Sequence, residues 1–367
     1  MMPATQWDPP WHARLGLSWS TGTVPVLLIL ILGSALGPHG LAVLTPEVLR
    51  VVDPAIPVAV AALGILAGLE FTRPAAPHRW VLLGKASLQS LLTGAFVALG
   101  VRFLAPRLPG VDGPEAWIVA LVAGVAASMS ASLPSVDPDR LRPLAIRLRD
   151  LDAIVPAFGG AVVLASLHAP FPLASMTLLA QAALLALVIS GAAWLLLADT
   201  TPSTEQRVFS VAALLLVGGI ADYLSLSALA SGLLAGLFWG VVGGVARDCI
   251  ERDVSYLRHP LVVLMLLTAG ARTTLSPSIL ALALAYLALR AAGKLAGAWL
   301  ARRTPGARLP DDLGSSLLPP GVFGVAFALN ATAMIGPSAA PLLAVVVLGT
   351  IGSQLTAAML RPRERRE

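Results

Sequence analysis

Two basic side chains lie four residues apart inside one strongly apolar stretch of the sequence. The run ALAYLALRAAGKLAGAWLA covers residues 283–301 and contains Arg290 and Lys294. Residues separated by four positions share one face of a helix, so both charges point to the same side. A charge within a membrane is costly unless it faces the protein interior, a wet cavity or an opposite charge. Both side chains could instead snorkel to the membrane surface, but Arg290 is near the centre of its stretch, which favours a buried site with acidic partners.

The acids that could meet these cations are few. The segment RLRDLDAIVPAFGG, residues 147–160, contains Asp150 and Asp152 at the start of another apolar stretch. Because they are two residues apart, they point to different sides of a helix, and only one can easily face a shared site. Asp150 could also form a local ion pair with Arg147 or Arg149 at the membrane surface. A carboxylate in a shared site could bind a proton and a small cation in turn, because burial and nearby charge shift its proton affinity in opposite directions.

The composition of the chain indicates a membrane protein. Of its 367 residues 57% are hydrophobic and 12% are charged, and the mean hydropathy is +0.82. Soluble domains carry about 25% charged residues, so the surface of this protein must be largely apolar. The net charge of +5 comes from arginines between the apolar stretches, which concerns membrane orientation and gives no indication of a nucleic-acid partner. Cys249 is the only cysteine, which excludes an intramolecular disulfide.

Twelve apolar stretches are long enough to be membrane spans, since about 20 apolar residues cross a bilayer. The predicted spans are 23–43, 54–71, 80–104, 116–133, 144–168, 172–198, 207–222, 224–243, 257–272, 277–301, 312–335 and 338–360. With twelve spans, most loop arginines fall on the side of both termini, and the positive-inside rule makes that side cytoplasmic. We expect residues 1–22 to form an interfacial tail and residues 361–367 a basic cytoplasmic tail.

Two of these spans are predicted to be interrupted. Span 4 ends in ASMSASLPS (residues 127–135), and span 11 contains SSLLPPGVFG (residues 315–324). Pro319 and Pro320 lack amide protons and clash with the preceding turn, so a continuous helix is disfavoured there. Non-helical backbone at membrane depth is tolerated only where it is buried in protein or lines a wet cavity. Matched interruptions in the two halves of a chain point to the substrate site of a transporter.

The order and spacing of these segments resemble the monovalent cation:proton antiporter superfamily, which includes the bacterial sodium/proton antiporters. The similarity extends over nearly the whole chain and rests on several short segments taken together. These are LGPHGL (36–41), GILAGLEF (64–71), DLDAIV (150–155), SALASGLLAGL (227–237), GKLAGAWLA (293–301) and LLPPGVFGVAFAL (317–329). By this resemblance Asp150 takes the position of the transport acid, with Asp152 as the alternative, and Lys294 takes the position of the intramembrane lysine.

The resemblance implies an all-α integral membrane fold of about 12 helices in two inverted repeats, with spans 4 and 11 broken and crossing. Residues 23–360 would form one transporter domain, whose core helices are 80–168 and 277–360. Helices 23–71 and 207–272 would form the dimerisation scaffold, and helix 172–198 would be a linker. The resemblance further implies a homodimer in the cell membrane that exchanges Na⁺ or K⁺ for H⁺ by alternating access.

In this implied site, Asp150 or Asp152 binds the ion or proton, and Lys294 pairs with the acid when no cation is bound. Arg149 and Arg290 would supply supporting charge. The lining of the broken helices would come from Ser128, Ser130, Ser132, Pro319, Pro320 and Gly321.

Two departures from the family pattern leave other functions open. Arg149 stands before the acid where the family usually has Asp, Asn or Gln, and span 4 carries serines without the Thr-Asp pair often found there. The scaffold could therefore be a transport-incompetent sensor or structural subunit, or a carrier of small organic anions drawn to Arg290 and Lys294. An enzyme is not expected, because the histidines are dispersed and no nucleotide-binding or nucleophile signature is present. No cofactor is expected, and no metal beyond the transported cation.

Overall fold

Every secondary-structure element in the described part of the chain is a helix. The computed structural model describes residues 24–72, 79–104, 115–130, 148, 151–169, 172–199, 204–306, 309, 313–336 and 339–360, and no strand occurs among them. The helices are α1 Val24–Leu36, α2 Pro46–Val52, α3 Ala55–Thr72, α4 Arg79–Leu104, α5 Glu115–Ser128, α6 Ile154–His168, α7 Pro172–Asp199, α8 Thr204–Tyr223, α9 Ala228–Val242, α10 Gly244–Ala271, α11 Pro277–Arg303, α12 Leu313–Ser316, α13 Val322–Ile335 and α14 Ala340–Leu360.

The apolar helices follow the predicted spans in order. Six of them (α3, α4, α7, α8, α10 and α11) are long and apolar enough to cross a membrane, and six shorter apolar helices (α1, α5, α6, α9, α13 and α14) accompany them. Each corresponds to one of the twelve predicted spans. The all-helical membrane architecture expected from the composition is confirmed.

The start of the ninth predicted span was wrong. The hydropathy predicts this span at 257–272, but α10 already begins at Gly244. The reversal from α9 is made by Gly243 and Gly244, whose φ angles of 70° and 72° suit glycine. The charges that follow are compatible with a helix, since they include an i,i+4 pair of Arg247 and Glu251 at 3.9 Å.

Both predicted interruptions are ends of regular helix and not simple kinks. Helix α5 stops at Ser128, and the eleventh span consists of α12, a non-helical stretch at residues 317–321 that contains the two prolines, and α13. A third break was not predicted: the fifth span was drawn as continuous from 144 to 168, whereas regular helix α6 begins at Ile154 after a turn at Asp152 and Ala153. Pro156 explains this start, because proline is well tolerated in the first turn of a helix.

Helices α3 and α9 form the tightest contact between two helices, and glycines make it possible. A Cβ atom added at Gly64 would lie 2.3 Å from the Leu229 oxygen, and one at Gly236 would lie 2.1 Å from the Ile65 oxygen. Small residues four apart let helix backbones approach closely in a membrane protein. The opposing atoms are main-chain oxygens, so no side-chain movement can make room for a larger residue.

Lys85, near the start of the third predicted span, is buried in the protein and does not snorkel to the membrane surface. Its side chain is 3% exposed. Its ammonium donates to the carbonyl oxygens of Ala301 and Thr304, both at 2.8 Å. These carbonyls lie at the C-terminal end of α11, where oxygens lack partners within the helix. Lys85 therefore caps α11 and fixes its end against α4.

We expect Gly236→Ala to destabilise the protein and Gly219→Ala to leave it unchanged or slightly more stable. Both changes gain helix propensity, but only the first forces a methyl group against a carbonyl oxygen; nothing lies within 4 Å of a Cβ at Gly219. Overpacking typically costs about 1–3 kcal/mol. The thermal unfolding midpoints of the two variants in the same detergent measure the difference, and equal midpoints would contradict the packing described for α3 and α9.

Candidate functional site

An ion pair lies in the apolar interior, where α4, α5, α6 and α11 meet. The Lys294 ammonium is 2.7 Å from Oδ2 of Asp152, and both side chains are 0% exposed. Lys294 comes from the middle of α11, and Asp152 from the turn that precedes α6. The N-terminal end of a helix carries partial positive charge, so the start of α6 adds to the stabilisation of this carboxylate.

The second carboxylate oxygen of Asp152 is held by α4. The Ser90 hydroxyl donates to Oδ1 and lies 3.1 Å from the main-chain oxygen of Asp152. The Gln89 amide, in the orientation that satisfies both of its ends, donates to Oδ1 at 2.6 Å and accepts from Lys294 Nζ at 3.0 Å. The amide orientation is assigned from this hydrogen-bond pattern. The carboxylate therefore accepts hydrogen bonds from two side chains of α4 besides its lysine.

The ammonium of Lys294 also neutralises the end of α5. Its Nζ donates to the Ser128 carbonyl oxygen at 2.5 Å, and Ser128 is the last residue of that helix. Carbonyls in the last turn of a helix have no partner within it and carry partial negative charge. The Ser128 hydroxyl turns back to the Val125 oxygen at 2.7 Å, so this serine meets the lysine with its backbone and not with its side chain.

Arg290 links the two interrupted spans. Its Nε donates to the Ala127 oxygen at 3.1 Å and its Nη1 to the Leu318 oxygen at 2.5 Å. The first carbonyl lies at the end of α5 and the second in the break after α12. The side chain is 1% exposed, and its Nη2 is buried without a hydrogen-bond partner among the described residues. One permanently charged group therefore binds the ends of both interrupted spans.

The two breaks also touch directly. The Ser130 hydroxyl donates to the Leu317 oxygen at 3.2 Å, which joins the residues just beyond α5 to those just beyond α12. Pro320 and Gly321 are buried in the same break, Pro319 is partly buried, and Gly321 is the N-cap of α13 in an extended conformation. Unwound backbone thus occurs here inside the protein, where it can be tolerated.

Glycines on α11 bring it close enough to α4 for these contacts. A Cβ at Gly293 would lie 2.8 Å from the Thr93 Cα, and one at Gly297 would lie 3.0 Å from the Gln89 Cα. Gly293 and Gly297 flank Lys294 on the buried face of the helix. The glycine spacing therefore sets the distance at which Lys294 reaches the polar residues of α4.

The structure brings together some of the predicted site residues. Asp152, Lys294, Arg290, Ser128 and Ser130 lie at the junction of the interrupted helices, as described above. Asp150, Arg149 and Ser132 lie outside the described residues, so the preference for Asp150 over Asp152 stays a prediction.

Sequence reasoning missed the contribution of α4. Gln89 and Thr93 are fully buried, and Ser90 is 1% exposed. Lys85, Gln89 and Thr93 recur at intervals of four in an otherwise apolar span, which places them on one helical face. That polar stripe was a signal in the sequence, and it indicates a helix that contributes to a buried polar site.

The oxygens near Lys294 suit a hard monovalent cation. Asp152, Ser90, Gln89 and the Ser128 carbonyl provide oxygen atoms of the kind that such cations prefer. Among the described residues no group of three or more His, Cys, Asp or Glu side chains could hold a resident metal ion. A cation bound at the carboxylate would compete with the ammonium that now occupies it.

The fold is similar to that of a solved transporter. The structure of the sodium proton antiporter MjNhaP1 from Methanocaldococcus jannaschii at pH 8 matches with a TM-score of 0.64 and 17% sequence identity. The match covers 95% of this chain and 98% of the other. No protein-family model matches the sequence, and no curated protein matches it significantly. The chain therefore has the fold of a sodium/proton antiporter, as its sequence resemblance implied.

Removing one partner of the buried ion pair should destabilise the protein more than removing both partners. We expect Asp152→Asn and Lys294→Met each to lower the free energy of unfolding, by up to about 3–5 kcal/mol, because each leaves a buried charge without its partner. The double variant should lose less than the sum of the two. Unfolding of the three variants in one detergent gives the double-mutant cycle, and additive losses would contradict the ion pair.

Proposed function

We propose that the protein is a secondary active transporter that exchanges a monovalent cation, Na⁺ or K⁺, for H⁺ by alternating access. The observation that supports this most directly is the fully buried pair of Asp152 and Lys294 beside two interrupted helices. A buried ionisable pair at membrane depth is expensive and marks a functional site by default. We infer that Asp152 is the transport acid, because among the described residues it is the acid that meets Lys294.

The exchange follows from competition for one carboxylate. With no cation bound, protonated Lys294 pairs with Asp152. An incoming cation takes the position of the ammonium on Asp152, and Lys294 releases its proton toward the side from which the cation came. After the site turns to the opposite side, the cation leaves, Lys294 takes up a proton there and the pair forms again. The site then turns back with this proton, which the next cation displaces. A lysine suits this role because its proton affinity falls in an apolar site, whereas arginine stays charged.

Arg290 has a different role in this proposal. Its contacts to Ala127 and Leu318 hold together the carbonyl ends of α5 and of the break after α12. Because its charge does not change, these ends stay neutralised while Lys294 gains and loses its proton. Ser130 supports the same junction through Leu317. Ser132 and the carbonyls near Pro320 and Gly321 would add ligands to the cation.

We also propose how the helices divide into a scaffold and a core, and how the protein lies in the membrane. Helix packing is most extensive between α3 and α9 and between α4 and α11, which fits a scaffold of 23–71 and 207–272 beside a mobile core of 80–168 and 277–360. We place the protein in the cell membrane as a homodimer with both termini in the cytoplasm. The asymmetry of the loop arginines supports this orientation.

A carrier of small organic anions is the second candidate. The observation that favours it is the Nη2 group of Arg290, which is buried and has no hydrogen-bond partner among the described residues. A carboxylate or sulfonate could accept from this group, since arginine binds planar anions well. The burial of Arg290 at 1% exposure and the existing partner of Lys294 favour the cation exchanger.

Exchange in proteoliposomes tests the proposal. We expect Na⁺ or K⁺ to cause dequenching of an internal pH dye in wild-type vesicles, and Asp152→Asn to abolish it because the neutral amide cannot replace the carboxylate for which the cation and the Lys294 ammonium compete. Asp222→Asn, at an exposed acid near the end of α8, is the matched control and should keep the activity. Asp150→Asn should keep it as well.

The other outcomes distinguish the alternatives. Loss of exchange in Asp150→Asn with activity in Asp152→Asn would move the transport acid to Asp150. Absence of exchange over a broad pH range in the wild type would favour a sensor or structural subunit. Uptake of a carboxylate or sulfonate without any cation requirement would favour the anion carrier.

A further inference from the structure

Three oxygen atoms surround the Lys294 ammonium in the candidate site. Its Nζ is 2.5 Å from the Ser128 carbonyl oxygen, 2.7 Å from Oδ2 of Asp152 and 3.0 Å from the amide oxygen of Gln89 in its assigned orientation. In the proposed exchange a cation replaces this ammonium, so the ammonium stands in for the transported ion. The three distances therefore indicate the size of ion that these oxygens accommodate.

Close packing of α4 against its neighbours holds two of these oxygens in place. A Cβ atom added at Gly297 would lie 3.0 Å from both Cα and Cγ of Gln89, so the backbone of α11 packs directly on the base of this side chain. A Cβ atom added at Gly124 would lie 2.5 Å from the Gly94 oxygen, so α5 contacts the backbone of α4 one turn before Ser128. Close-packed interiors resist compression. The oxygens therefore cannot contract around a smaller ion unless a helix moves.

The negative potential at the position of the ammonium is weakened by the groups around the carboxylate. Oδ1 of Asp152 accepts from the Ser90 hydroxyl and the Gln89 amide, which leaves Oδ2 for the ion. Arg290 donates to the Ala127 oxygen at 3.1 Å and places a permanent positive charge beside the site. A smaller cation gives up more hydration energy when it is buried, and a weakened carboxylate returns less of that energy. The electrostatics therefore favour the larger of two cations of equal charge.

We propose that the cation exchanged at this site is K⁺ in preference to Na⁺. A potassium ion has nearly the radius of an ammonium ion, so it contacts Ser128, Asp152 and Gln89 in their present positions. A sodium ion is smaller and loses contact with at least one of these oxygens. Selectivity between cations of equal charge depends in this way on cavity size, ligand number and ligand flexibility. This inference rests on the proposed function. The similarity to a sodium proton antiporter concerns the fold alone, because it is at 17% sequence identity.

Exchange in proteoliposomes with a series of chloride salts tests this preference. Vesicles that contain the full wild-type chain and are acidic inside are diluted into LiCl, NaCl, KCl or RbCl, and dequenching of the internal pH dye is followed over a range of salt concentrations. We expect K⁺ to give half-maximal exchange at about tenfold lower concentration than Na⁺, which is the effect of one contact of about 1.4 kcal/mol. Half-maximal exchange at an equal or lower concentration of Na⁺ would overturn the inference and leave the proposed function in place. Absence of exchange with every salt would overturn both.

A variant of Gln89 tests the part of this residue in the preference. Gln89→Glu keeps the shape of the side chain and adds a negative charge, so it should bring the half-maximal concentrations of Na⁺ and K⁺ together. Asp222→Asn, at the exposed acid near the end of α8, changes the charge by one unit outside the site and should keep the wild-type ratio. Because the ratio is measured within one variant, a smaller fraction of folded protein does not change it. An unchanged ratio in Gln89→Glu, or an equal change in Asp222→Asn, would contradict the assignment of Gln89 as a ligand of the ion.

Discussion

Helix ends at membrane depth leave carbonyl oxygens without partners, and the organisation of this protein depends on how those oxygens are satisfied. Water is absent from the hydrocarbon region, so each unpaired carbonyl there is costly. Ala127 and Ser128 end α5, and Leu318 lies in the break of the eleventh span. Arg290 and Lys294 supply the donors for all three. The two cations that stand out in the sequence therefore donate hydrogen bonds to main-chain carbonyls, whether or not a ligand is bound.

The two cations divide this work in a way that suits the proposed exchange. Arg290 contacts only carbonyls in the described structure and remains charged, so it keeps the broken helices together at any pH at which the protein is folded. Lys294 shares its ammonium among the Ser128 carbonyl, Gln89 and Asp152. In the proposed exchange, a cation that displaces it from the carboxylate leaves the contacts of Arg290 to Ala127 and Leu318 in place. A site with two arginines would lack a releasable proton, and a site with two lysines would lose part of its structural charge during each cycle.

Much of this arrangement could be predicted from the sequence, because hydropathy and proline are strong local signals. The twelve apolar segments, the break at Pro319 and Pro320 and the burial of Lys294 depend on such signals. The start of α6 at Ile154 differs from the predicted span because the hydropathy of residues 144–168 does not reveal the turn at Asp152 and Ala153. The start of α10 at Gly244 differs because the first turns of this helix carry charged residues and are not apolar.

The tertiary contacts of the site could not be predicted from the sequence, for a different reason. The roles of Gln89 and Ser90 depend on which face of α4 meets α11, and the glycines at 293 and 297 that fix this contact have no distinctive pattern in a chain with 33 glycines. The partners of Arg290 are main-chain oxygens, which every residue has and which no sequence pattern identifies. The contact of Asp152 with Lys294 likewise depends on the local turn at Asp152 and Ala153, which helical periodicity does not describe.

The central claim is that a cation and a proton compete for the buried pair of Asp152 and Lys294. Isothermal titration calorimetry measures this in the purified protein, with NaCl or KCl added in two buffers that differ in ionisation enthalpy. The account predicts that binding releases about one proton per cation, and that Asp152→Asn abolishes both the binding and the release. Cation binding without proton release, or binding that persists unchanged in Asp152→Asn, would contradict it.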